Sequence, residues 1–165
     1  MKNNNKKLVV ILCALVIILT CCIVFFNKKD DKKEEKIEKF YLSEKYYNQG
    51  EFVTIDSEQL KELNKESFIV YTYNNYCIFT TPCDEIFKVV MDKYKIDIVS
   101  VPFSELKKTD YYKTVKLAPS ILIIKDGEIV TYLKADSDED FKRYQDSKEF
   151  EKWLDKYIYL EKEAN

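Results

Sequence analysis

Residues 117–130 read LAPSILIIKDGEIV, and this stretch decides the fold. Ser120 to Ile124 is a run of apolar, largely β-branched residues, the composition of a buried strand. Lys125-Asp126-Gly127-Glu128 then supplies a hairpin turn, because Asp-Gly accepts the positive φ that tight hairpins need. Ile129 to Leu133 returns antiparallel, and Pro119 opens the hairpin.

Upstream of this hairpin, strands and helices alternate. Phe52, Val53 and Ile55 make a short strand. Asp56 caps a helix, with Gln59 three residues on as in a capping box, and Leu60 and Leu63 form its buried side. Phe68 to Tyr73, FIVYTY, has the residues of a central strand. A polar break carrying Cys77 follows, and Pro82 suits the first turn of the next helix, where Ile86, Val89, Val90 and Tyr94 recur at helical spacing. Ile96 to Phe103 holds another strand, and Ser104 to Lys116 is expected to be helical, with Leu106, Tyr111 and Val115 inward.

Downstream, Asp136 to Asp140, DSDED, reads as a solvated loop without the spacing of a calcium-binding hand. Asp146 and Glu149 suggest a second capping box. They precede Phe150, Trp153, Leu154, Tyr157 and Ile158 on one helix face. The element order is β-α-β-α-β-α-β-β-α, an α/β domain with crossovers first and a hairpin last.

Composition excludes several functions. The 165 residues carry 27 basic and 29 acidic side chains, a net charge of -2, so no basic face for nucleic acid is expected. There is no histidine, which removes Cys-His and Ser-His catalysis and His-ligated metals. Arg143 is the lone arginine, and the two glycines, Gly50 and Gly127, cannot build a phosphate loop. No cofactor or metal is called for. The 13 tyrosines, Tyr41, Tyr46, Tyr47, Tyr71, Tyr73, Tyr76, Tyr111 and Tyr112 among them, are explained mainly by core packing and strand faces.

Leu8 to Phe26, LVVILCALVIILTCCIVFF, is apolar and uncharged. About twenty such residues cross a hydrocarbon core. No small-residue cleavage site ends the run, so an uncleaved single-pass anchor is expected, ahead of ordinary cleavage or lipidation at Cys21 or Cys22. Lysines flank both ends, so charge does not set the orientation. The soluble domain follows the anchor, which predicts a cell-membrane protein with its domain outside the cytoplasm. The expected organisation is a basic tail at 1–7, the anchor at 8–26, a charged linker at 27–50, the domain at 51–160 and a tail at 161–165.

Five cysteines occur. Cys13, Cys21 and Cys22 lie in the apolar block and behave as small hydrophobes. Cys77 and Cys83 are the only cysteines of the soluble part, and without histidine partners they make a poor metal site. A redox pair or a structural disulfide remains.

Three segments resemble thioredoxin: FIVYTYNNYC, TTPCDEIFKVV and LAPSILIIKDGEIV. The resemblance covers about Phe52 to Tyr159. It implies a three-layer α/β/α sandwich with a mixed central sheet, a cis-proline at Pro119, and a cysteine turn between strand and helix. Membrane-tethered proteins of this kind are familiar in Gram-positive bacteria. It further implies that Cys77 and Cys83 exchange with protein thiols or disulfides, with Tyr76, Pro82, Ala118 and Pro119 around the substrate. Two departures stand out. The cysteines are spaced C-x5-C rather than C-x-x-C, and Tyr71 takes the place of the family's buried acid.

Two functions therefore stand open. In one, Cys77 attacks a substrate disulfide and Cys83 resolves. In the other, a Cys77–Cys83 disulfide is structural and the domain is a non-catalytic binding or accessory module.

Overall fold

The computed structural model describes residues 38–74, 82–134 and 136–163. The expected anchor at 8–26 lies outside them, as do Tyr76 and Cys77. Among the described residues no helix is long and apolar enough to cross a membrane.

Five strands form one mixed sheet: β1 (Phe52–Thr54), β2 (Phe68–Tyr73), β3 (Ile98–Pro102), β4 (Ser120–Lys125) and β5 (Glu128–Leu133). Their order is β1-β3-β2-β4-β5. β3 runs parallel to both β1 and β2, and β4 runs antiparallel to β2 and β5. β2 and β4 are buried along nearly their whole length, as their apolar runs predict, whereas β5 is an edge strand with alternating exposure.

Helix α1 (Ser57–Glu62) links β1 to β2, and helix α2 (Cys83–Tyr94) links β2 to β3. The two crossovers step in opposite directions along the sheet. Right-handed connections therefore place α1 and α2 on opposite faces. On the α1 face, Ser57 Oγ donates to Glu105 in the one-turn helix α3 (Phe103–Leu106) at 2.8 Å. On the α2 face, Phe87 packs against Tyr71 of β2 and against Phe150 of the last helix, α5 (Ser147–Leu154). The result is a three-layer α/β/α sandwich. Its strand order, mixed directions and cis Ala118–Pro119 peptide make the fold thioredoxin-like.

Local chemistry accounts for most of the elements. Asp56 accepts from Glu58 N and Gln59 N, and Gln59 Oε1 accepts from Asp56 N, which is the expected capping box. Asp126 and Gly127 both take positive φ in the hairpin turn. Asp146 caps α5 through Lys148 N and Glu149 N, but Glu149 pairs with Lys152 rather than closing a box.

Three expectations are corrected. Ser104 to Lys116 is not one helix: Thr109 is extended, and its N–H and Oγ1 both turn back to the Leu106 carbonyl, ending α3 before a separate 3-10 turn at Asp110–Lys113. The acidic stretch is not merely a solvated loop: Asp138–Phe141 forms the short helix α4, continued by a 3-10 turn at Lys142–Tyr144. Asp140 is buried there, accepting from Lys134 N and pairing with Arg143. Last, the domain does not begin at Glu51. Phe40, Leu42 and Tyr46 are buried, and Phe40 bridges to Ile158 through bonds with Tyr157 O and Tyr159 N. These buried side chains, with backbone bonds such as Ser43 N to Ser67 O and Asn48 N to Lys95 O, hold the segment to the core.

Candidate redox site

β2 ends at Tyr73, and α2 begins at Cys83, the first helical residue. Pro82 precedes the helix rather than joining its first turn: its ψ of 130° is still extended. Cys83 is 1% exposed and Pro82 is exposed.

The Ala118–Pro119 loop lies against this end of the sheet. Asn74, just past β2, donates from Nδ2 to the Ala118 carbonyl at 3.3 Å. Ser120 Oγ donates to Leu117 O at 2.8 Å, closing the loop ahead of β4. Pro119 is buried, Ala118 half-buried and Leu117 45% exposed, so the loop offers a small apolar surface to an approaching chain.

Of the six residues expected at the site, four are described: Pro82, Cys83, Ala118 and Pro119. The strand ladder explains their convergence. Thr72 of β2 stands opposite Ser120 of β4, so the exit of β2 and the entry of β4 meet at one sheet end.

Tyr144 was not legible as part of the site from sequence. Its ring is fully buried and packs on Phe87, one turn along α2 from Cys83. Its hydroxyl reaches Leu133 O at 2.9 Å and Pro119 O at 3.2 Å. Burial above all, then Cys83 and Asp140, pushes its phenol well above the usual range. The only sequence signal was one more tyrosine between the acidic stretch and α5.

Thr72 Oγ1 is also buried near this end and has no hydrogen-bond partner among the described residues. A cavity of about 810 Å³ lies elsewhere, between α1 and β5, lined by residues that include Leu60, Lys61, Asn64, Tyr111, Gly127 and Glu128. Neither Cys83 nor Pro119 lines it, so the chemistry and this space are separate.

No family model matches the chain, and no curated protein matches it. Solved structures do resemble it. Thioredoxin of Schistosoma mansoni is 20% identical with a TM-score of 0.46, covering 67% of this chain and 99% of that one. Thioredoxin NaTrxh of Nicotiana alata is 17% identical with a TM-score of 0.47, covering 67% and 94%. Thioredoxin f of spinach chloroplast is 15% identical with a TM-score of 0.42, covering 60% and 88%.

Proposed function

We propose that this chain is a thiol-disulfide oxidoreductase acting on protein disulfides, tethered to the membrane by residues 8–26 with its domain outside the cytoplasm. The observation that supports it most is the placement of Cys83: first residue of α2, at the sheet end where the cis Ala118–Pro119 loop lies. In the forward direction the Cys77 thiolate attacks one sulfur of a substrate disulfide. A mixed disulfide forms and the first substrate thiolate leaves. Cys83, as thiolate, then attacks Cys77 Sγ and expels the second. The substrate gains two electrons, the cysteine pair loses them, and the two cysteine protons end on the substrate thiols.

A second reading is favoured by one fact, the near-complete burial of Cys83. In it the pair forms a structural disulfide and the domain is an accessory module. Insulin reduction by the full chain in detergent micelles separates the two. The exchange reading expects turnover that is lost in both Cys77→Ser and Cys83→Ser. A wild-type chain without turnover, whose pair stays oxidised across a glutathione titration, overturns it. Protease added to intact cells is expected to digest the domain; protection would overturn the proposed orientation.

A further inference from the structure

A second cavity, of about 220 Å³, joins the cis-proline loop to the end of β5. Lys116, Leu117 and Ser120 line it from the loop, and Tyr132, Lys134 and Asp136 from the strand end. Thr114, Tyr132 and Lys134 also line the larger cavity between α1 and β5, so the two spaces adjoin. The larger one lies where the break at Thr109 puts the 3-10 turn Asp110–Lys113 in place of a helix. At the junction the Tyr132 hydroxyl reaches the Thr114 carbonyl only at 3.5 Å, a bond weak enough for an entering chain to replace. From Gly127 to Tyr132 the strand spans roughly 17 Å, the length of about five residues of extended chain.

The charges along this path are uneven. Lys116 Nζ stands over the Tyr112 ring at 4.1 Å and Lys134 Nζ over the Tyr132 ring at 5.8 Å. Among the described residues neither lysine is ion-paired. Asp136 is the one carboxylate lining the smaller cavity with them. In the larger cavity Lys61 pairs with Glu58 and Asp110 with Lys113. Toward the hairpin turn the lining becomes apolar, with Leu60, Ile129 and Val130, and Glu128 adds one carboxylate there. Val130, which the bulge leaves without a partner on β4, is 39% exposed.

We propose that the two cavities form one groove that holds an extended segment of the disulfide substrate, with an acidic side chain between Lys116 and Lys134 and a large apolar side chain beside Leu60, Ile129 and Val130. The proposal rests on the redox reading of Cys77 and Cys83, and it names the substrate class: an unfolded or extended chain with acidic and apolar residues flanking its cysteine. Leu117 is 45% exposed and lines the smaller cavity, so a chain lying over the cis-proline loop enters the groove there. Two ammonium groups against one carboxylate favour an acidic side chain at the junction and disfavour a basic one.

The test is binding of fluorescein-labelled peptides to the full chain in nanodiscs, read by anisotropy against empty nanodiscs. Each peptide carries a central serine in place of cysteine and about seven residues of extended chain on either side. One has Glu and Phe in its flanks, and a second has Lys for every Glu. The Glu peptide is expected to bind about fivefold tighter than the Lys peptide at low salt, and the gap is expected to close as salt rises. The double variant Lys116→Glu with Lys134→Glu is expected to reverse the preference. Thr114→Trp keeps both lysines and narrows the junction, and it is expected to weaken the full-length Glu peptide without affecting one trimmed to two residues on either side. Equal binding of the Glu and Lys peptides, a preference that survives the double variant, or full-length binding untouched by Thr114→Trp would each overturn the proposal. Binding involves no cysteine, so its failure is distinct from that of the redox reading. A chain that selects the Glu peptide but does not reduce insulin sinks the redox reading and leaves a peptide groove. A chain that reduces insulin without peptide preference sinks the groove alone.

Discussion

Asp97 opens the segment before β3 and is 4% exposed. Its Oδ1 accepts from the N–H groups of Gln49, Gly50 and Glu51 at 3.2, 2.8 and 2.8 Å, and its Oδ2 accepts from Asn48 Nδ2 at 3.1 Å. One carboxylate thus organises the turn that delivers the chain into β1. In Asp97→Ala all four donors lose their acceptor. Gln49 and Glu51 are exposed and regain water, while Gly50 is buried and does not. The buried orphan costs about 2 kcal/mol and the three bonds with exposed donors about 0.5 kcal/mol each, so the sum is about 3 to 4 kcal/mol. For a domain of this size that lowers the melting temperature by roughly 10 °C. Asp97→Asn keeps an acceptor oxygen in place and is expected to cost only about 1 kcal/mol. Urea unfolding followed by circular dichroism measures both. Asp97 lies at the strand end opposite Cys83, so Cys83 alkylation in folded protein is expected to stay unchanged. A loss below 0.5 kcal/mol for Asp97→Ala, or equal losses for the two variants, would refute the reasoning.

Other expectations are equally direct. Gly127 has φ +82°, and a Cβ there would lie 2.2 Å from Asn64 O, so Gly127→Ala is expected to destabilise by about 3 kcal/mol in urea unfolding; a neutral result would contradict the close approach of the hairpin and the turn after α1. Thr72→Val replaces the unpartnered hydroxyl with a methyl group and is expected to stabilise by about 1 kcal/mol, whereas a loss of stability would mean that the hydroxyl is satisfied. Burial, then Glu128, pushes the Tyr111 phenol up to about 12, and burial raises Tyr144 as well. An unfolded tyrosine ionises near about 10, so the unfolded state releases these protons first. Their contribution is intact below that pH and falls as pH rises toward the folded values. Urea midpoints should drop over this alkaline range, less steeply in Tyr111→Phe; a flat profile in the wild type would be inconsistent with buried phenols.

What was legible in the sequence was what local chemistry dictates. The Asp56–Gln59 box, the Asp126-Gly127 turn and the apolar runs of β2 and β4 each carry their reason within a few residues. The cis-proline position followed from the resemblance around LAPSILIIKDGEIV, and the Ala118–Pro119 peptide is cis. What was not legible depends on distant partners. Phe40 sits in a charged segment and is held by the far end of the chain at Ile158. Thr109 ends a helix through a side-chain bond that periodicity cannot show. Tyr144 belongs to the site only because the fold returns it beneath Phe87 and beside Pro119, more than fifty residues after α2 begins. Cys83 stands out in the sequence, but its burial does not: the pattern says only that it lies in the first turn of an amphipathic helix.

The central claim is a division of labour, with Cys77 attacking and Cys83 resolving. Its most direct test is trapping of the mixed disulfide with a reduced full-length chain and a disulfide-bonded protein substrate, analysed by non-reducing electrophoresis and peptide mass spectrometry. The account predicts that Cys83→Ser accumulates a covalent adduct through Cys77, because the resolving thiol is gone, and that Cys77→Ser accumulates none. No adduct in Cys83→Ser, or an equal adduct through Cys83 in Cys77→Ser, would contradict it.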